Sequence, residues 1–150
     1  MRILIALGGN ALLRRGEAPD AAIQLEHVAQ AAPALAAAAT AHQLVITHGN
    51  GPQVGLLALE SGDDRSLERP YPFDALVAET QGLIGYWLQQ SIAGAGLATP
   101  IVSVVSQTVV AADDPGFDDV GRRDSGAARA SDCHGEAIRL GLAPQDSQER

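Results

Sequence analysis

Ile3-Leu4-Ile5-Ala6-Leu7-Gly8-Gly9-Asn10 is the stretch on which the fold class turns. A continuous apolar run ended by two glycines suits a short strand buried on both faces, as in a parallel sheet. Leu44 to Thr47 repeats the pattern and runs into His48-Gly49-Asn50-Gly51. Between the two, Asp20 follows Pro19 as an N-cap, and Ile23, Val28, Ala32, Leu35 and Ala39 recur at helical spacing. Pro33 predicts a kink or a split in that helix, because an interior proline costs about 3 kcal/mol.

Farther along, Pro52 through Leu59 reads as a helix with its proline in the permitted first turn. Ser61 to Pro72 is charged and proline-bearing and reads as an exposed loop. Phe73 to about Ile92 is the clearest helix. Leu76, Val77, Leu83, Ile84, Trp87 and Leu88 form its apolar stripe, and Thr80 and Ser91 fill the gaps. Gly82 and Gly85 lower its propensity by roughly 1 kcal/mol each, which points to close approach of another element such as a second subunit. Gly94 and Gly96 end it, and Ile101 to Val110, rich in Val and Thr, reads as a strand. Strands alternating with helices are the grammar of an α/β fold with a mainly parallel sheet, here a three-layer α/β/α sandwich.

The chain has 150 residues, 46% of them apolar and only 3% aromatic, so its core is aliphatic and a disordered class is excluded. The formal net charge of −8 argues against nucleic acid or an anionic membrane as partner, since phosphate backbones need a basic footprint. All the basic residues are Arg; there is no Lys. A single cysteine, Cys133, excludes an internal disulfide, and no apolar run approaches a membrane span. A cytoplasmic location is the expectation.

Two Gly-Asn clusters thus follow the first two strands, at the ends where open α/β sheets bind ligands. Gly8, Gly9 and Asn10 offer backbone N–H groups to an anion with no side chain in the way. A tight turn after a strand is the structural alternative. Gly49, Asn50 and Gly51, followed by Pro52, specify a narrow loop with outward amides, and the Asn50 amide can donate to a carbonyl or phosphoryl oxygen. Arg14-Arg15 could reach a phosphate or be a solvated pair. His48 reads as a structural hydrogen-bonder at a strand end, and His27 and His42 as solvated. No metal site is expected: Cys133-His134 lacks further ligands, and Asp113-Asp114 and Asp118-Asp119 read as acidic loop.

Three strings carry a resemblance. Ala6-Leu7-Gly8-Gly9-Asn10-Ala11-Leu12, Ile46-Thr47-His48-Gly49-Asn50-Gly51-Pro52-Gln53-Val54-Gly55 and Ala78-Glu79-Thr80-Gln81-Gly82-Leu83-Ile84-Gly85-Tyr86 resemble carbamate kinase, within the amino-acid kinase superfamily. Tyr71-Pro72-Phe73-Asp74 and Ser106-Gln107-Thr108 are similar too. The resemblance runs from the N-terminus to about Phe117, so that residues 1–117 form the N-terminal part of such a domain.

The resemblance implies reversible phosphoryl transfer between ATP and carbamate, often run toward ATP from carbamoyl phosphate and ADP, in arginine catabolism. It implies ATP/ADP and Mg²⁺ as cofactors and carbamate or carbamoyl phosphate as small-molecule substrate, while the Gly82/Gly85 helix suggests a homodimer. By it, Gly8, Gly9 and Asn10 hold the transferring phosphoryl group, and Gly49, Asn50 and Gly51 contact the carbamate or carbamoyl moiety. Phosphoryl transfer asks a protein chiefly for alignment and charge neutralisation.

The departures are equally specific. Family members are about twice this length, and the family's lysines near the transferred phosphate have no counterpart here. Asp113-Asp114-Pro115-Gly116-Phe117 is followed by Asp118-Asp119-Val120-Gly121-Arg122-Arg123 in place of a Pro-Lys-Pro segment, and neither arginine takes over a role by motif. No catalytic residue is assigned. Residues 118–150 read as a divergent tail left by truncation or a shifted reading frame. The alternatives are a catalytically inactive half-domain that binds phosphate or carbamoyl phosphate, or another superfamily kinase.

Overall fold

A computed structural model describes residues 1–109. Strand β1, Arg2–Leu7, is followed by a single 3-10 turn at Gly9–Ala11 and then helix α1, Ala21–Ala41. Strand β2, Gln43–His48, leads into helix α2, Gly51–Asp63, and helix α3, Phe73–Gly94, comes last. The strands pair in parallel, from Arg2 opposite Gln43 to Leu7 opposite His48. A parallel pair needs a crossover, and α1 provides it.

The core lies between α1, α3 and one face of this sheet. Val28, Ala32, Leu35 and Ala36 of α1 meet Ile84, Leu88 and Ile92 of α3, with Leu12 from the loop after β1. Ile5, Leu7, Leu44 and Ile46 pack against them from the strands. Fully burying one such side chain contributes roughly 1.5–3 kcal/mol, so the aliphatic core suffices despite few aromatics. The described residues supply the parallel sheet and one helical layer of the α/β fold.

Several sequence expectations need correction. Among the described residues the strands are covered on one face only: exposed and half-buried residues alternate along both, and Leu4 and Val45 are exposed. No helix among the described residues covers that second face. Pro33 neither ends nor divides α1. It lies on an exposed position, where water can satisfy the carbonyl its missing N–H leaves free. Asp20 occupies the N-cap position without a side-chain hydrogen bond. α2 continues to Asp63, so the exposed loop begins at Asp64 rather than Ser61. Leu83 falls outside the buried stripe of α3.

Ile101 to Val109 is not a strand. It has no ladder partner among the described residues, and Val102, Val104 and Val109 are each more than three-quarters exposed. Val and Thr supply propensity, but a strand exists only through its neighbour. Side chains of α3 hold this segment instead. Gln81 accepts from the Ser106 N–H at 2.8 Å and donates to its carbonyl at 3.2 Å, and Gln89 donates to the Ile101 carbonyl at 3.4 Å. Close approach at Gly85 is to Ser103 of the same chain, so that glycine does not require a second subunit. Val110, Asp113-Asp114, Asp118-Asp119, Arg122, Arg123, Cys133-His134 and the expected tail at 118–150 lie outside the described residues.

Candidate functional site

Parallel pairing brings the two Gly-Asn loops together. Leu7 and His48 are the last pair of the ladder, and the Gly49 N–H reaches back to the Leu7 carbonyl at 3.4 Å. Gly8-Gly9-Asn10 and Gly49-Asn50-Gly51 therefore leave the sheet side by side at its carboxyl edge, where α/β folds bind ligands.

Backbone donors are available in both loops. The 3-10 turn makes its first bond from Ala11 N–H to the Gly8 carbonyl at 2.9 Å, which leaves the Gly9 and Asn10 N–H groups without a partner within the turn. In α2 the first bond runs from Val54 N–H to the Asn50 carbonyl at 2.9 Å, so the Gly51 and Gln53 N–H groups are likewise unused by the helix. The Gly49 N–H, bonded to Leu7, is not among the outward amides that the sequence suggested.

The glycines of these loops are not explained by the described chain itself. Positive φ occurs only at Gly16 and Gly96 among its residues. A Cβ built on Gly8, Gly9, Gly49 or Gly51 would meet no heavy atom within 4 Å. Neither backbone conformation nor packing among the described residues demands glycine at these four positions.

Asn50 departs from its expected use. Its Nδ2 donates to Thr80 Oγ1 at 2.7 Å and to the Val77 carbonyl at 3.3 Å. Its Nδ2 is thus turned to α3, and its Oδ1 has no partner among the described residues. Asn10 is exposed, with no side-chain partner among the described residues. Thr80, fully buried, donates to the carbonyls of Leu76 and Val77 at 3.0 and 2.9 Å. The sequence signalled it only as a polar residue inside an apolar stripe.

Other candidates fall into place around this edge. His27 is buried rather than solvated: Nδ1 lies 3.0 Å from the Leu12 carbonyl and Nε2 3.4 Å from Glu17 Oε1. Glu17 Oε2 accepts from the Arg14 N–H at 2.8 Å, so one carboxylate ties the loop after β1 to α1. Arg14 and Arg15 are exposed on that loop. His48 is half-buried, its Nδ1 3.3 Å from the Gly49 carbonyl. His42 is half-buried too, with Nδ1 buried and unpartnered. Behind the second loop, Gln53 Nε2 donates to Gln24 Oε1 at 2.7 Å, and Gln24 Nε2 to the Pro19 carbonyl at 2.9 Å.

With this geometry in hand, the relatives are informative. Carbamate kinase of Escherichia coli K12 is 51% identical over 115 residues, which is 77% of this chain and 38% of the relative. The chain is homologous to the N-terminal half of carbamate kinases. Giardia carbamate kinase has a structure that superposes with a TM-score of 0.72 at 32% identity, covering 79% of this chain and 41% of that one. Carbamate kinase from Giardia lamblia bound to AMP-PNP superposes with a TM-score of 0.57 at 34% identity, over 62% of this chain and 33% of its own. The chain thus spans well under half the length of the curated relatives it matches. No protein-family model matches it. The carbamate kinase neighbours and the parallel α/β architecture agree on an amino-acid kinase-like fold.

Proposed function

We propose that the two loops at the end of the parallel strands form the carbamoyl phosphate side of a carbamate kinase site, and that the whole protein transfers a phosphoryl group reversibly between ATP and carbamate. The observation that carries this reading is the set of four loop glycines that neither conformation nor packing requires. Leaving out a side chain there keeps room for a ligand to touch backbone. The Gly9 and Asn10 N–H groups would receive the phosphoryl oxygens, and Gly49, Asn50 and Gly51 would line the carbamoyl end. Such a cradle aligns the transferring group and offsets its charge, which is most of what phosphoryl transfer asks of a protein.

Nucleotide belongs to the same reading, supported by the AMP-PNP in the Giardia relative. Mg²⁺ would come with the nucleotide. The loops offer N–H groups and amides, and no group of three or more His, Cys, Asp or Glu suited to a metal occurs among the described residues. Its ligands are therefore not assigned to this part of the chain, and no step is routed through it. A homodimer joins the proposal through Leu83 and Tyr86, exposed on α3; sedimentation that finds only monomer removes it. A cytoplasmic setting and a place in arginine catabolism come with the family resemblance. No helix among the described residues is long and apolar enough to cross a membrane.

The test is ATP formation from carbamoyl phosphate and ADP, run beside calorimetric titration with carbamoyl phosphate. Turnover supports the kinase. Binding without turnover, in folded protein, would favour a half-domain that keeps the anion loops alone. Asn50→Ala with unchanged carbamoyl phosphate binding would sink the placement of the second loop.

A further inference from the structure

We infer that Thr80 is a positioning residue that fixes the Asn50 amide with its oxygen outward, so that the site selects a ligand with an N–H donor over one of the same shape without it. This rests on the placement of the carbamoyl end proposed above and adds the basis of its selectivity.

The orientation of the amide is set by chemistry. Thr80 is 0% exposed and cannot exchange its partners for water. Its one hydroxyl proton points at the Leu76 and Val77 carbonyls, as expected for a threonine within a helix. That leaves Thr80 Oγ1 as the acceptor for Asn50 Nδ2 at 2.7 Å. Val77 adds a carbonyl, which can only accept, 3.3 Å from the same Nδ2. Turning the amide over would set Oδ1 against that carbonyl and oblige Thr80 to give up its helix bonds. Two adjacent acceptors on α3 thus hold Asn50 Nδ2, and Oδ1 has no partner among the described residues.

An acceptor held beside Gly49 and Gly51 discriminates between ligands. Carbamoyl phosphate carries an NH₂ group, which donates to Oδ1. Acetyl phosphate has a methyl group at that position, cannot donate, and leaves Oδ1 unsatisfied. A site built around a hydrogen bond rejects the analogue that lacks it more strongly than it separates two apolar groups. No covalent step is involved; the effect is on recognition.

The experiment titrates the full 150-residue chain with carbamoyl phosphate and with acetyl phosphate. The wild type should bind carbamoyl phosphate roughly fivefold or more tightly, the range for one net hydrogen bond plus an orphaned acceptor. Thr80→Val, nearly the same shape but without the hydroxyl, should bring the ratio close to one, and Thr80→Ser should restore it. Loss of packing alone would weaken both ligands together and leave the ratio standing. Equal binding of the two ligands by wild type, or an unchanged ratio in folded Thr80→Val, overturns the inference and leaves the site placement intact. Binding of neither ligand overturns the placement itself, and the inference with it. Should Thr80→Val not fold, the wild-type Asn50 side-chain amide still decides: the proton directed at Thr80 should exchange more slowly with solvent than those of an exposed asparagine. Exchange as fast as an exposed asparagine's overturns the orientation.

Discussion

Gly85 of α3 and Ser103 of the following segment approach so closely that a methyl group on Gly85 would stand 2.9 Å from the Ser103 Cβ and closer still to its hydroxyl. Gly82, one turn earlier, would meet nothing within 4 Å. The two glycines of one helix thus exist under different constraints. Gly85→Ala should destabilise the chain by about 1–3 kcal/mol through overpacking, less the roughly 1 kcal/mol that alanine gains in helix propensity. Gly82→Ala should stabilise it by about 0.5–1 kcal/mol. Urea denaturation of the pair checks both signs.

The loop glycines should behave unlike either. Gly9→Ala and Gly49→Ala put a methyl group into space that no described residue fills, at backbone angles open to any residue. Their stability should stay within about 0.5 kcal/mol of wild type. Carbamoyl phosphate affinity should nonetheless fall, because the methyl group stands where ligand would approach backbone. Calorimetry paired with thermal melting separates the two effects, and an unchanged affinity in both variants would count against a ligand at these loops.

His27 ties the loop after β1 to α1, and its loss should be felt there. His27→Ala leaves the Leu12 carbonyl without its buried partner and Glu17 without its ring nitrogen. An orphaned buried acceptor costs about 1–3 kcal/mol, so a loss of that size is expected in denaturant unfolding. Amide exchange should quicken first around residues 12–17, before the strands.

Acid should loosen the turn after α2. Asp64 accepts from the Ser66 hydroxyl at 2.7 Å and its N–H at 2.8 Å, and these bonds hold its carboxyl below the usual carboxylate value. A depressed carboxyl contributes stability above its unfolded pKa, about 3.9, and that contribution is lost as pH falls through the folded value. Ser66→Ala removes the larger of the two bonds, so the Asp64 carboxyl should titrate at higher pH, readable from its carbonyl carbon shift. No movement would show that the hydroxyl bond does not persist in solution.

What the sequence disclosed depended on how local each cause was. Period and punctuation located β1, β2 and all three helices, because apolar spacing and Gly or Pro at the ends act within a few residues. Residues 101–109 misled for the converse reason: propensity is local, but the hydrogen bonds of a strand come from elsewhere in the chain. His27 looked solvated because nothing near it in sequence announces Leu12 and Glu17. The two loops were legible as ligand-binding candidates from their glycines. The use of Asn50 was not, since the choice between its donor and its acceptor is made by Thr80, 30 residues away.

The strand pairing that sets the two loops side by side also orders events in time. Arg2 and Gln43 are 41 residues apart, and closing so long a loop costs entropy that the first ladder bonds do not repay. Forming α1 first shortens the gap, because a helix spans its residues at 1.5 Å each and forms within about a microsecond. Every pair of the ladder, from Arg2 with Gln43 to Leu7 with His48, closes the same separation. The juxtaposed loops exist only once the ladder is in register, so carbamoyl phosphate added to refolding chains should slow unfolding more than it changes the folding rate.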